Sequence, residues 1–354
     1  LTGLYDGKEL ILYVDGVMVA KTEKTGTINT PANNTVMAIG ANPSGSTAAG
    51  LFSNINVYEV NIYDNVWDIS AQQDGSILAF GEESLSPSGK AYNVYVTSAD
   101  EIFANQNSAI LFAGIASSPQ THSGKKIINN IELLNTSNVT NMAGMFSSMG
   151  HGYGDLILGD NFDTSNVTRM DTMFERTYIG NLDLGSKFDT SNVTGMNLMF
   201  ELSSFATIDL GDNFDTSKVT SMNCMFQNMD ITTSSELNLG DKFDTSNVTE
   251  MGNMFDSTGY TAMTKINLGP KFDTSNVTDM SSMFSYTGYT AMTSLDLGDK
   301  FDTSNVTDMY GMFYGCGYTA LTSLDLGDKF SVSKVTSMSN MFKDAGAKAM
   351  TSLD

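Results

Sequence analysis

Acidic side chains return at fixed intervals through the second half of this chain. One series, Asp183, Asp209, Asn238, Asn267, Asp296 and Asp325, stands at the centre of a repeated Leu-x-Leu-type triplet, with Ile157 in the first copy. The centre of such a triplet points away from its two inward neighbours, so the series forms an outward column on a sheet face. Side-chain oxygens alone suit calcium, a hard cation, or a basic partner surface. A second series, Asp163, Asp189, Asp215, Asp244, Asp273 and Asp302, ends at Ser331. Like charges one strand apart repel. Lys187, Lys242, Lys271, Lys300 and Lys329 can compensate the second series, whereas the first has only Lys265 nearby in sequence.

Other residue types repeat without pointing to chemistry. Methionines recur in the phrase Val-Thr-x-Met-x-x-Met-Phe, and thioethers bind soft metals. No Cys or His accompanies them, so they read as adaptable core filler. Asn-Val-Thr at Asn138, Asn166, Asn192, Asn247, Asn276 and Asn305 matches the glycosylation acceptor. Lys218 and Lys334 replace the Asn in two copies, and a column of Asn or Thr bonding the next coil's backbone explains the motif better. Tyr260, Tyr289 and Tyr318 form an aromatic column, read as structural ahead of a sugar platform. His122 and His151 are isolated, and Cys224 and Cys316 sit about three strand spacings apart, roughly 14 Å, too far for a disulfide. No nucleophile–base pair or metal set emerges, so an enzyme is not expected.

The elements that must carry these residues follow from the spacing of the phrase. Its valines are Val139, Val167, Val193, Val219, Val248, Val277, Val306 and Val335, separated by 26 to 29 residues. Self-similarity at that period marks a solenoid, in which each unit buries its apolar side only by stacking on neighbours. Leu156/Leu158, Leu182/Leu184, Ile208/Leu210, Leu237/Leu239, Ile266/Leu268, Leu295/Leu297 and Leu324/Leu326 are the inward pairs of short strands. A loop then carries its own inward Phe, from Phe162 to Phe330. Val, Met, Met and Phe fall on one face of a 3.6-residue period, which predicts a short helix capped by the preceding Asp, Thr and Ser. The predicted fold is an α/β repeat solenoid with one short strand and one short helix per coil.

Ahead of the stack, Lys8 through Val14, the turn pair Asp15-Gly16 and Val17 through Ala20 predict a β-hairpin. Further strands are expected at 36–39 and 54–63. Residues 72–90, rich in Ser, Gly and Glu, read as a connection. Strands are expected at 91–96 and 109–115, with a helix at 98–105 capped by Ser98. This gives a β-sandwich segment at 1–70, a linker and solenoid cap at 71–135, and eight repeats at 136–354. Lys and Arg total 18 against 40 Asp and Glu, a net charge of −22. That charge argues against binding nucleic acid or anionic lipid. Neither a leader peptide nor a membrane-spanning segment is expected, and the chain reads as an internal piece of something longer.

Two resemblances rest on these motifs. Tyr5-Asp6-Gly7-Lys8-Glu9-Leu10-Ile11-Leu12-Tyr13-Val14-Asp15-Gly16, Ala38-Ile39-Gly40-Ala41 and Val60-Asn61-Ile62-Tyr63-Asp64 resemble the C-terminal half of a laminin-G-like, concanavalin-type jelly roll. That family includes carbohydrate binders, glycosidases and some calcium binders. No closely spaced carboxylate pair of the kind glycosidases use appears in 1–70. The Leu-x-Leu-Gly-Asp-Lys-Phe-Asp-Thr-Ser-Asn-Val-Thr-x-Met-x-x-Met-Phe unit closely resembles the BspA-like leucine-rich-repeat surface proteins. This implies an extracellular protein of the bacterial cell surface that adheres to a protein or carbohydrate ligand. The alternative is a structural spacer or self-associating fibre component of a cell surface or a phage virion.

Overall fold

A computed structural model describes residues 2–5, 9–14, 17–23, 66–68, 77–86, 89–98, 102–115, 128–150 and 154–354. The chain divides into two compact units, Leu1–Ile102 and Phe103–Asp354. In the first, β1 (Thr2–Tyr5), β2 (Glu9–Val14) and β3 (Val17–Glu23) form an antiparallel sheet. Val14 pairs with Val17, as the predicted hairpin requires. A second sheet holds β4 (Val66–Asp68), β5 (Ile77–Ser86) and β6 (Gly89–Ser98). The strand expected at 91–96 lies within β6. The expected connection at 72–90 instead contributes its partner, with Ile77 opposite Ser98 and Ser86 opposite Gly89. A hairpin ladder is built from backbone groups, so the polar composition of β5 did not forbid it. Among the described residues of 98–105 the expected helix is absent: β6 runs to Ser98, and β7 is Ile102–Phe103. The expected strands at 36–39 and 54–63 lie outside the described residues.

The second unit is a β-solenoid. β8 (Leu134–Asn135) comes first, and β9 (Leu156–Ile157), β10 (Tyr178–Asp183), β11 (Ser204–Asp209) and β12 (Asp230–Ile231) then form one sheet. Next come β13 (Glu236–Asn238) with β14 (Lys265–Asn267), then β15 (Ser323–Leu324) with β16 (Ser352–Leu353), every pair parallel. A ladder of single parallel bridges runs unbroken from Asn107 through Asn141, Arg169, Gly195, Ser221, Glu250, Asp279 and Asp308 to Ser337. Residues 109–115, expected as a strand, are turns that stack on the first repeat, with Phe112 on Phe146 at 5.6 Å.

The core is the expected one. Valines 139 to 306, both methionines of the first seven phrases and their phenylalanines are fully buried. Phe112, Phe146, Phe174, Phe200, Phe226, Phe255, Phe284, Phe313 and Phe342 make one continuous stack with centroids 5.4 to 5.6 Å apart. All the strand pairs turn inward, with Ile208 and Leu326 only partly buried.

The helix predicted for the phrase is absent, and with it the α/β leucine-rich type. Among the described residues the one helical element is a single 3₁₀ turn, Ile131–Leu133. In the second repeat Met173 N–H bonds Met170 O and Thr177 N–H bonds Phe174 O, closing four-residue turns. The third residue of each is left-handed, Thr172 at φ 57° and Arg176 at φ 53°. Positive φ ends an α-helix at once. The remaining N–H groups point along the stack: Met142, Gly144, Phe146 and Ser148 donate to Arg169, Asp171, Met173 and Glu175 of the next coil. Successive turns give the same three-and-four spacing of apolar residues as a helix does.

Candidate functional site

The outward column of the strands is held by its own turns. Asp183, Asp209, Asn238, Asn267, Asp296 and Asp325 each accept, through Oδ1, the N–H of the glycine two residues on, at 2.9 to 3.2 Å. An Asx turn of this kind requires one side-chain oxygen and no charge, so Asn serves as well as Asp. That explains their alternation. The column is also interrupted. Asp183 pairs with Asp209 and Asn238 with Asn267, but Asp209 and Asn238 belong to different sheets. Among the described residues no three His, Cys, Asp or Glu side chains converge to hold a metal ion. A shallow depression of about 450 Å³ opens at Leu182–Ser186 and Asp209–Asn213, rimmed by Asp160, Asp183 and Asp209.

The second acidic series does the same work one turn later. Asp163, Asp189, Asp215, Asp244, Asp273 and Asp302 accept the N–H of the serine two residues on, at 2.8 to 3.0 Å. The N–H and hydroxyl of Ser304 hold the Asp302 carboxyl below the usual carboxylate range. At Asp215 partial burial opposes ionisation, yet Ser217, Lys271 and Lys242 outweigh it and the carboxyl is again lowered. The lysines therefore act at a distance: among the described residues no ion pair joins them to this series, and Lys265 pairs instead with Glu236 at 3.5 Å.

Polar side chains between these columns sew coil to coil. Thr245 is buried; its hydroxyl donates to Asp273 O at 2.8 Å and accepts Asp273 N–H at 2.7 Å. Thr164, Thr216, Thr274 and Thr303 repeat this double bond. Asn166, Asn192, Asn247, Asn276 and Asn305 donate Nδ2 to a serine carbonyl of the preceding coil at 2.7 to 2.8 Å. Where Lys218 and Lys334 replace Asn, each Nζ reaches the preceding Asn oxygen at 2.6 Å. The acceptor-like motif is thus an inter-coil stitch. Cys224 and Cys316 are free thiols, with burial pushing Cys316 up to about 12. Burial likewise raises Cys224, helped by Glu201 and Asp256. His122 and His151 lie outside the described residues.

One surface departs from this pattern. Tyr260, Tyr289 and Tyr318 stack face to face with centroids 4.7 Å apart and planes within 5°. Lys348 Nζ continues the column 5.1 Å from the Tyr318 centroid. Tyr286 lies 5.7 Å from Tyr289 and meets Tyr314 edge-on at 4.9 Å, and Lys343 sits over Tyr314 at 5.3 Å. A hydrogen bond to Tyr314, with burial and neighbouring charge, pushes Tyr286 up to about 12. Sequence reasoning found the first three tyrosines and missed Tyr286, Tyr314, Lys343 and Lys348. The signal was available: in the first five coils the positions of Tyr286 and Tyr314 hold no aromatic residue, as Ser148, Arg176, Leu202, Gln227 and Asp256 show.

Two known families match segments of the chain. Residues 1–64 match the concanavalin A-like lectin/glucanases superfamily. Residues 118–238 and again 230–352 match the family described as "Mycoplasma protein of unknown function, DUF285". No curated protein matches the chain, and neither does any solved structure. The two repeat matches run through the turn-and-strand coils and together span about two thirds of the 354 residues, so the chain belongs to the DUF285 family.

Proposed function

We propose that this is a non-enzymatic protein displayed on the outside of a bacterial cell, whose repeat unit works as a stiff stalk. One observation carries the reading: the repeated outward polar residues spend their hydrogen bonds on their own turns and on neighbouring coils. Such a surface is built for persistence along the stack and offers few anchors of the aromatic and Arg kind that dominate protein interfaces. The joining of a concanavalin A-like segment to DUF285 repeats supports display at a surface, as does the resemblance of the repeat to BspA-like proteins. A phage virion would use the same stalk and is the alternative location. Among the described residues no helix is long and apolar enough to cross a membrane, so anchoring is assigned to no segment here.

The stalk reading is tested by excising residues 248–305, two periods of 29 residues. The shortened protein should fold, melt within a few degrees of the parent, and remain accessible to protease on intact cells. Failure of the excised stack to fold, or protection of both proteins until the cells are broken, would sink it. Adhesion is the second reading, favoured by the tyrosine surface. The aspartate column is turn-bound and is set aside as its carrier.

A further inference from the structure

We infer that the tyrosine ladder of the late coils is a binding surface for a linear polysaccharide. The reading goes beyond the stalk and borrows from it only the location. Stacking covers the ring faces of Tyr289 on both sides, at 4.7 Å from each neighbour. With the faces covered, the ring edges and phenolic hydroxyls are left for a ligand, one coil apart, on Tyr260, which is 41 % exposed, and on the half-buried Tyr289 and Tyr318. Tyr286 and Tyr314 flank this row, and Lys343 and Lys348 close one end of it.

The repeat does not need these residues. Earlier coils bury the same Val-Met-Met-Phe core with Ser148, Arg176, Leu202, Asn228 and Ser257 at the position of Tyr286, and with Ser147, Glu175, Glu201, Gln227 and Asp256 at that of Tyr314. The chain also makes room for them: a Cβ at Gly315 would lie 2.8 Å from the Tyr286 ring, and Gly315 has φ +64°.

The shape selects the ligand. An evenly spaced row of hydroxyls that both donate and accept is matched by a polymer whose own hydroxyls recur with each unit. Sugar rings present apolar C–H groups beside hydroxyls, as the tyrosine edges do. Two lysines in a chain of net charge −22 are too few for a nucleic-acid backbone. They are enough to orient a uronate or sulfate group at one end of a sugar chain.

The test uses the purified full chain, so it does not depend on where the protein resides. Binding is measured by affinity electrophoresis and calorimetry with hyaluronan as the acidic probe and laminarin as the neutral one. Replacing Tyr260, Tyr289 and Tyr318 together by Phe keeps the stack and removes its hydroxyls. The parent should bind at least one probe, and the triple variant should bind it at least about tenfold more weakly at an unchanged Tm. Lys343→Gln with Lys348→Gln should weaken hyaluronan binding alone. If the triple variant melts early, Tyr289→Phe is read by the same criterion. Absence of parent binding to both probes, or equal binding by parent and Phe variants, overturns the inference.

Discussion

Cys316 occupies a place in the coil where other coils put a buried hydroxyl. Thr258 and Thr287 stand at the same phase, and each donates to a phenylalanine carbonyl, Phe226 O and Phe255 O, at 2.7 Å. The thiol at 316 is fully buried and a poor donor. Cys316→Thr should restore the bond to Phe284 O and raise stability by about 1 kcal/mol, read as a higher Tm. Turn closure at the aspartate carboxylates needs only an oxygen, but Ser304 and Lys329 also favour the charge of Asp302. Asp302→Asn should therefore keep the turn and lower Tm slightly at neutral pH. The Asp302 carboxyl is lowered by Ser304 in the folded protein, so its contribution is present above the unfolded value and lost as pH falls through the folded one. Below about pH 4 the parent should lose Tm more steeply than the Asn variant.

Between elements, the stack is held by residues that serve two coils at once. Thr245→Val keeps the shape but removes a donor to Asp273 O and orphans Asp273 N–H, with an expected cost of about 1–3 kcal/mol in urea unfolding. Thr249→Val is the control: its hydroxyl is exposed and bonds Thr220 O at 3.2 Å, and the change should cost less than about 0.5 kcal/mol. Much at this scale was legible in the residues. Burial repeats with the coil, so Val, Met, Phe and the Leu pairs announced the core, and Asp15-Gly16 announced its hairpin. The turns were not legible, because left-handed φ falls on Thr172, Leu198 and Cys224, types that give no sign of it. Only the seventh repeat wrote the conformation openly, with Gly311, Gly315 and Gly317 at the left-handed sites. The turn closure made by the aspartate column was not legible for a related reason: a list of residues does not show that a side chain accepts an N–H of its own turn.

Across the second unit, the buried methionines make the protein its own oxidation gauge. Met338 is 46 % exposed, whereas both methionines in each of the first seven phrases are fully buried. Brief peroxide treatment should convert Met338 to its sulfoxide well before any of those, and peptide mass mapping reads the order. Early sulfoxide at Met254 or Met283 would mean that the coils open far more readily than their stacking implies. The sheet breaks between β11 and β13, while the bridge ladder on the phrase side continues through Ser221 to Glu250. Stiffness along the stack is therefore carried by the phrase side at that point.

Every boundary between the 29-residue coils repeats the same hydroxyl-to-backbone stitch, as Thr245 to Asp273 and Thr274 to Asp302 show. Unequal crossing-over within the gene could then add or drop whole units without creating a mismatched junction. Alleles should differ in length by multiples of one period, and a lineage could tune how far it reaches without inventing a single new contact.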